Sequence, residues 1–63
     1  MIMENVNVEK ATGVLMADLR AKYGAAVRNV MLNHVDAAGY WFSYELEQNS
    51  TRQTWCVRHW EVQ

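Results

Sequence analysis

"AAVRNVMLNHVDAAG", residues 25–39, decides the fold because it fits both a helix and a strand. Read as a helix, it gathers one apolar stripe, which consists of Val27, Val30, Met31, His34, Val35 and Ala38. Read as a strand, neither alternating set of side chains is cleanly apolar, although the β-branched valines favour a strand. The helical pattern fits better, and Gly39 supplies a stop at its end. We therefore predict a second helix over residues 25–38 and keep a strand as the alternative.

The residues before this stretch predict a first helix over residues 8–23. An advance of about 100° per residue places seven side chains on one face: Val8, Ala11, Thr12, Leu15, Met16, Leu19 and Tyr23. Asn7 fits the N-cap position, and Gly24 fits the left-handed residue that commonly ends a helix. We expect the apolar face of this helix to cover the core.

The residues after Gly39 predict a β-hairpin. Apolar and polar side chains alternate in "YWFSYELE", residues 40–47, and "QTWCVRHWEV", residues 53–62, reads as the returning strand. A tight turn at Asn49–Ser50 predicts these cross-strand pairs: Tyr44–Trp55, Phe42–Val57, Trp41–Arg58 and Tyr40–His59. Tyr44, Phe42, Trp55 and Val57 then lie on the core face.

Together these elements predict a small α+β domain over residues 1–63, two helices followed by an antiparallel β-hairpin. If residues 25–38 form a strand instead, the alternative is one helix packed on a three-stranded antiparallel meander. We expect residues 1–6 to be a flexible N-terminal segment. A chain of 63 residues buries little surface, and its single cysteine excludes an internal disulfide. A homodimer is one way to add buried area.

Composition favours a small binding protein without an enzymatic site. Neither a secretory signal nor an apolar stretch of membrane-spanning length is found, so we expect a cytoplasmic protein without a membrane partner. Cys56 and His59 are spaced as C-x-x-H, but residues three apart on a strand point to opposite faces. No phosphate-binding or dinucleotide motif is present. We therefore expect no metal, no cofactor and no catalytic residue.

The order helix, short turn, helix, glycine and hairpin over residues 18–60 resembles the winged helix-turn-helix family of DNA-binding domains. The resemblance implies a transcriptional regulator whose second helix enters the major groove of duplex DNA. That helix would present Arg28, Asn29 and Asn33 to the bases, because arginine suits guanine and asparagine suits adenine. Lys22 and Arg52 would hold phosphates. The net charge of −1 is low for tight non-specific DNA binding.

The rival prediction is a small protein–protein interaction module, such as an inhibitor or a phage-type accessory protein. The predicted register puts Trp41, Arg58 and Trp60 together on the outer face of the hairpin. Tryptophan and arginine are enriched at binding hot spots. The sequence leaves duplex DNA and a protein as the two candidate partners.

Overall fold

A computed structural model describes the backbone of residues 2–63 and the side chains of residues 7–49 and 51–63. The elements in order are α1 (Ile2–Tyr23), a 3-10 turn (Gly24–Ala26), β1 (Val27–Val35), β2 (Gly39–Leu46), β3 (Asn49–Arg58) and a second 3-10 turn (His59–Val62). The three strands form one antiparallel sheet in the order β1–β2–β3. The alternative prediction of one helix on a three-stranded meander is therefore confirmed. The preferred arrangement of two helices and a hairpin is wrong.

Strand β1 occupies the stretch that was predicted to be a helix, and two bulges explain why its alternation is unclear in the sequence. One extra residue lies between Arg28 and Met31, and another lies between Leu32 and His34. Asn29, in the first bulge, has a left-handed φ of 54°, which asparagine tolerates better than most residues. Each bulge reverses which side chains face the core. The apolar and polar sets therefore cross over twice within nine residues.

Helix α1 packs on one face of the sheet through residues spaced four apart. Ala11, Leu15 and Leu19 have no exposed surface, as the predicted apolar face required. They meet side chains from the sheet and the C-terminal turn: Tyr40, Phe42, Tyr44, Val57 and Val62. The helix begins at Ile2 and not at residue 8, so the predicted N-cap role of Asn7 is wrong.

Two expectations from the sequence concern the N-terminal segment and a membrane partner. The expected flexibility of residues 1–6 concerns side chains outside the described residues and stays a prediction. Among the residues that are described, no helix combines the length and the apolar character needed to cross a membrane.

The β2–β3 hairpin is confirmed, but its register differs from the prediction by two residues from Tyr40 to Tyr44 and shifts again between Tyr44 and Leu46. The turn lies at residues 47–48, where Leu46 pairs with Asn49, and not at Asn49–Ser50. The observed pairs include Tyr40–Val57, Trp41–Cys56, Phe42–Trp55 and Ser43–Thr54. Because side chains alternate with a period of two, a slip of two residues keeps the side chains of residues 40–44 and 53–57 on their predicted faces but changes their neighbours.

The chain leaves the sheet after Arg58, where the predicted strand continued to residue 62. The Arg58 backbone N–H donates to the Glu61 carboxylate at 2.8 Å, which closes the turn. His59 is held against the β1–β2 connection, because its Nε2 lies 2.8 Å from the carbonyl oxygen of Asp36. Val62 then enters the core beside α1. Residues 59–62 therefore help to cover the sheet on the helix side.

Candidate interaction surface

The sheet has one face covered by α1 and one face on which no described helix packs. We call the uncovered side the open face. It carries Arg28, Asn29, Met31, Asn33 and His34 from β1, Trp41, Ser43 and Glu45 from β2, and Arg52, Thr54 and Cys56 from β3. A half-solvated antiparallel sheet normally shows a polar outer face. This one has an aromatic centre.

The centre of the open face is formed by Met31, His34, Trp41 and Cys56, which we call the Trp41 patch. The rings of His34 and Trp41 stack with their centroids 5.9 Å apart and their planes 13° apart. Cys56 lies opposite Trp41 on the next strand. Met31 is 48% exposed, so much of its side chain faces solvent. The exposed part of the patch therefore consists of the Met31 side chain and the His34 ring, whose Nε2 lies 3.6 Å from the Asp36 carboxylate, while Trp41 and Cys56 are half-buried.

The turn between β1 and β2 fixes one edge of this patch. Asp36 Oδ1 accepts the backbone N–H groups of Ala38 at 2.9 Å and Gly39 at 3.2 Å. The indole N–H of Trp41 lies close enough to lower the pKa of the Asp36 carboxyl, with the two backbone N–H groups and His34 adding to the effect. Trp41 Nε1 is nevertheless buried and makes no hydrogen bond of ordinary geometry to any described residue. The indole is thus held by stacking and by a charge–dipole contact.

Ion pairs and amide contacts surround the patch. Arg28 lies 3.3 Å from the Glu47 carboxylate, and Arg52 lies 3.3 Å from the Glu45 carboxylate. Asn29 Nδ2 donates to Glu45 Oε1 at 2.9 Å. The Asn29 amide and the Arg52 guanidinium lower the pKa of Glu45, so this carboxylate stays charged further into acid. Both of these arginines therefore have an acidic partner within the chain.

Four of the five predicted nucleic-acid-binding residues lie on the open face. Arg28, Asn29 and Asn33 come from β1 and Arg52 from β3, so a sheet brings them together and not the predicted recognition helix. Asn33 Nδ2 donates a hydrogen bond to the Ser43 hydroxyl, so part of the hydrogen-bonding capacity of this amide is already used within the chain.

The fifth, Lys22, is separated from this group. Its ammonium lies 5.4 Å from the ring centroids of both Tyr23 and Trp55, near the end of α1. Because Trp55 belongs to the core face, Lys22 lies on the helix side of the sheet. A ligand lying flat on the open face would not reach it.

The three predicted protein-interface residues are not brought together. Trp41 faces Cys56 and not Arg58, so the predicted Trp41–Arg58 pair is wrong. Arg58 ends β3 opposite Gly39. Trp60 lies beyond the strand in the second 3-10 turn, 72% exposed. Sequence reasoning missed Met31 and His34 as members of the patch, because they join it only when residues 27–35 form a bulged strand.

The polar side chains near Tyr44, on the helix side of the sheet, do not form a second candidate binding site. The Tyr44 hydroxyl lies 3.2 Å from the Tyr23 hydroxyl and 3.1 Å from Gln53 Oε1, and burial raises the pKa of Tyr44 to about 12. A solvent-open cavity of about 410 Å³ lies nearby, and Lys22 is the only charged side chain among the described residues that line it. Within the described residues, no group of three or more His, Cys, Asp or Glu side chains could hold a metal ion.

Comparison with known protein families, with curated proteins and with solved structures gives no match to this chain.

Proposed function

We propose that this chain is a small non-enzymatic binding protein that contacts another protein through the open face of its sheet. The observation that carries the proposal is the Trp41 patch, an aromatic and sulfur-containing surface on a sheet face that α1 leaves uncovered. Tryptophan, methionine and arginine are enriched in protein interfaces, and an apolar centre with a polar rim is their usual arrangement.

The charges of the open face favour a protein over a nucleic acid. Binding to DNA gains most of its non-specific strength from cations that are free to replace counterions on phosphates. Arg28 and Arg52 are instead paired with Glu47 and Glu45. A phosphate backbone would have to displace those carboxylates. A protein partner can leave the pairs intact at the rim.

A non-enzymatic role is proposed because the nucleophile and the histidine on this face are too far apart. Cys56 and His34 lie on the two outer strands, on either side of Trp41. Adjacent strands are about 4.8 Å apart, so two strand spacings separate their backbones by about 10 Å. Activation of a thiol by histidine needs hydrogen-bond reach. The bulky indole between them prevents that contact.

The proposal is tested by capture with matched variants followed by a direct affinity measurement. The tagged chain, Trp41→Ala, Trp41→Phe and Lys10→Ala are compared for the proteins that each retains from a lysate of the source cells. Lys10→Ala changes an exposed side chain on α1 and serves as the control. A partner that uses the patch is retained by the wild type, Trp41→Phe and Lys10→Ala and lost by Trp41→Ala.

The affinity of the purified partner then gives a quantitative test. Loss of a hot-spot tryptophan costs at least about 2 kcal/mol, or about 30-fold in Kd. Circular dichroism shows whether Trp41→Ala keeps its fold. Identical captured proteins and an unchanged Kd for a folded Trp41→Ala would refute the proposal.

Duplex DNA is the second candidate, because Arg28, Asn29, Asn33 and Arg52 share one face. Sheets as well as helices can enter the major groove, where arginine and asparagine read guanine and adenine. Under this reading Arg28→Ala with Asn29→Ala abolishes duplex binding, and Arg28→Ala alone lowers the salt slope by about one if that arginine holds a phosphate. Absence of salt-sensitive binding by the wild type excludes this candidate and leaves the protein-binding proposal untouched.

A further inference from the structure

The two outer edges of the sheet differ in regularity. The edge formed by β1 is interrupted by the bulge at Asn29 and by the second irregularity before His34. The edge formed by β3 keeps an unbroken register with β2 from Gln53 to Arg58, and its one irregularity, of two extra residues, lies between Asn49 and Gln53. In the described chain β3 pairs with β2 alone, so one side of its backbone is free of strand partners.

Residues 53–57 of the β3 edge also lack the features that prevent edge-to-edge pairing. Natural sheets protect their edges with bulges, charged side chains, prolines or covering loops. Residues 53–57 contain neither a charge nor a proline, and the flanking charges are Arg52 and Arg58. The segment is rich in residues that favour strands, among them Thr54, Trp55 and Val57. The β1 edge is bulged along its length, whereas on the β3 edge the irregularity and the charges lie outside residues 53–57.

We propose that β3 pairs antiparallel with β3 of a second copy of this chain, about a two-fold axis at Thr54. The two sheets then join into one sheet of six strands. Thr54 faces Thr54 of the second copy, Gln53 faces its Trp55, and Arg52 faces its Cys56. Because antiparallel pairing about an axis perpendicular to the sheet preserves its faces, both open faces lie on the same side.

The sequence of β3 favours a second copy of this chain as the partner strand, because two copies can pair without placing like charges opposite each other. An axis at Trp55 would set Arg52 against Arg58 of the second copy, whereas an axis at Thr54 or at Gln53 brings no like charges together. Of these two, only the axis at Thr54 pairs the whole of residues 53–58 with residues of β3. The exposed part of half-buried Trp55 gains cover from the second Gln53. A chain of 63 residues also gains more from added buried area than a larger domain does.

Self-association through β3 does not rest on the proposed function of the open face. Trp41 lies on the central strand, so Trp41→Ala leaves the β3 edge intact. Partner binding and self-association can therefore fail separately.

The first test is the solution mass across a wide concentration range, by sedimentation equilibrium. The wild type is expected to approach twice the 7.3 kDa of one chain. Thr54→Lys and Thr54→Glu each place like charges across the axis, and each is expected to remain at one chain. An equimolar mixture of these two variants is expected to recover the double mass. Met31→Lys, which adds the same charge to the same face on the opposite edge strand, is the control and stays dimeric.

The second test fixes the register by cross-linking. Directly opposed residues of an antiparallel pair have Cα atoms about 4.5–5.5 Å apart, within the range that a disulfide spans. In a Cys56→Ser background, Thr54→Cys is expected to form a disulfide between two chains under mild oxidation. Thr51→Cys, which faces Val57 of the second copy, is expected not to. Circular dichroism verifies that each variant is folded.

Three outcomes would overturn the proposal. The first is a wild type that stays at one chain at every concentration. The second is a folded Thr54→Lys variant that remains dimeric, which would place the interface elsewhere. The third is a mixture of the Lys and Glu variants that fails to recover the double mass.

Discussion

Replacing Gly39 by alanine tests the closest approach in the fold. Gly39 begins β2 and pairs with Arg58 where the chain leaves the sheet. A Cβ at this position would lie 2.2 Å from the Val57 carbonyl oxygen and 2.8 Å from the Arg58 Cα, and the φ of 157° is one that side-chain-bearing residues rarely adopt. All of the crowded atoms belong to the backbone of β3. They cannot move aside without disturbing the strand pair.

The size of the effect follows from two costs. Overpacking typically costs about 1–3 kcal/mol, and a residue in a sparsely populated φ region costs about 1–3 kcal/mol. We expect Gly39→Ala to lower the free energy of unfolding by about 3 kcal/mol or more. A domain of 63 residues has a total stability of roughly 3–9 kcal/mol. The variant is therefore expected to be partly or fully unfolded in water.

The other two glycines separate the two costs. Gly24 has a φ of 69°, and a Cβ added there would meet no described atom within 4 Å, so Gly24→Ala adds backbone strain without a clash and costs about 1–2 kcal/mol. Gly13 lies inside α1 with the same free space, so Gly13→Ala is expected to stabilise the chain by about 1 kcal/mol through helix propensity. The expected order of stability is Gly13→Ala, wild type, Gly24→Ala and Gly39→Ala.

Urea unfolding followed by tryptophan fluorescence and by far-UV circular dichroism measures this series. Trp41 in β2 and Trp55 in β3 report the packing of the sheet, and the m-value shows whether the unfolding transition remains comparable. A Gly39→Ala variant as stable as Gly24→Ala would refute the reasoning, because it would mean that β2 and β3 do not approach each other as closely as the structure has it.

Three further predictions concern the core and the polar contacts around it. Leu15→Ala removes a fully buried side chain and is expected to cost about 2–5 kcal/mol, measured by the same urea series. Tyr44→Phe deletes a hydroxyl within hydrogen-bonding distance of Tyr23 and is expected to cost about 1 kcal/mol; an unchanged urea midpoint would contradict a role for that contact. The pKa of Glu45 is lowered in the folded chain, so its contribution to stability is present above the unfolded value and is lost as the pH falls through the lower folded value. Stability measured against pH is therefore expected to fall less steeply in acid for Glu45→Gln than for the wild type, and parallel curves would refute this.

The sequence predicts helix α1 and the hairpin, but not the strand at residues 27–35, the position of the hairpin turn or the end of β3 at Arg58. Helix α1 was predictable because Ala11, Leu15 and Leu19 are spaced four apart, and the hairpin was predictable because residues 40–44 and 53–57 alternate with a period of two. Strand β1 matches no single period, because its two bulges shift the side chains that face the core. A bulged strand places residues three apart on the same face, and Met31 and His34 illustrate this. Residues three apart also share one face of a helix. The bulged strand therefore produces a sequence pattern that matches a helix better than a regular strand.

The same ambiguity explains which parts of the site were predictable. The sequence predicts that Arg28 and Asn33 share one exposed face, and both are exposed, because the polar side of a helix and the open side of a bulged strand select the same residues. The neighbours of Trp41 were not predictable, since they depend on the turn. A turn at residues 47–48 gives Trp41 the small Cys56 as its cross-strand partner, whereas the predicted turn gave it Arg58. A small partner leaves the indole free to stack on His34 from the other strand. A shift of the turn by two residues therefore replaces the predicted arginine–tryptophan pair with the stacked Trp41 and His34 rings beside Cys56, on which the protein-binding proposal rests.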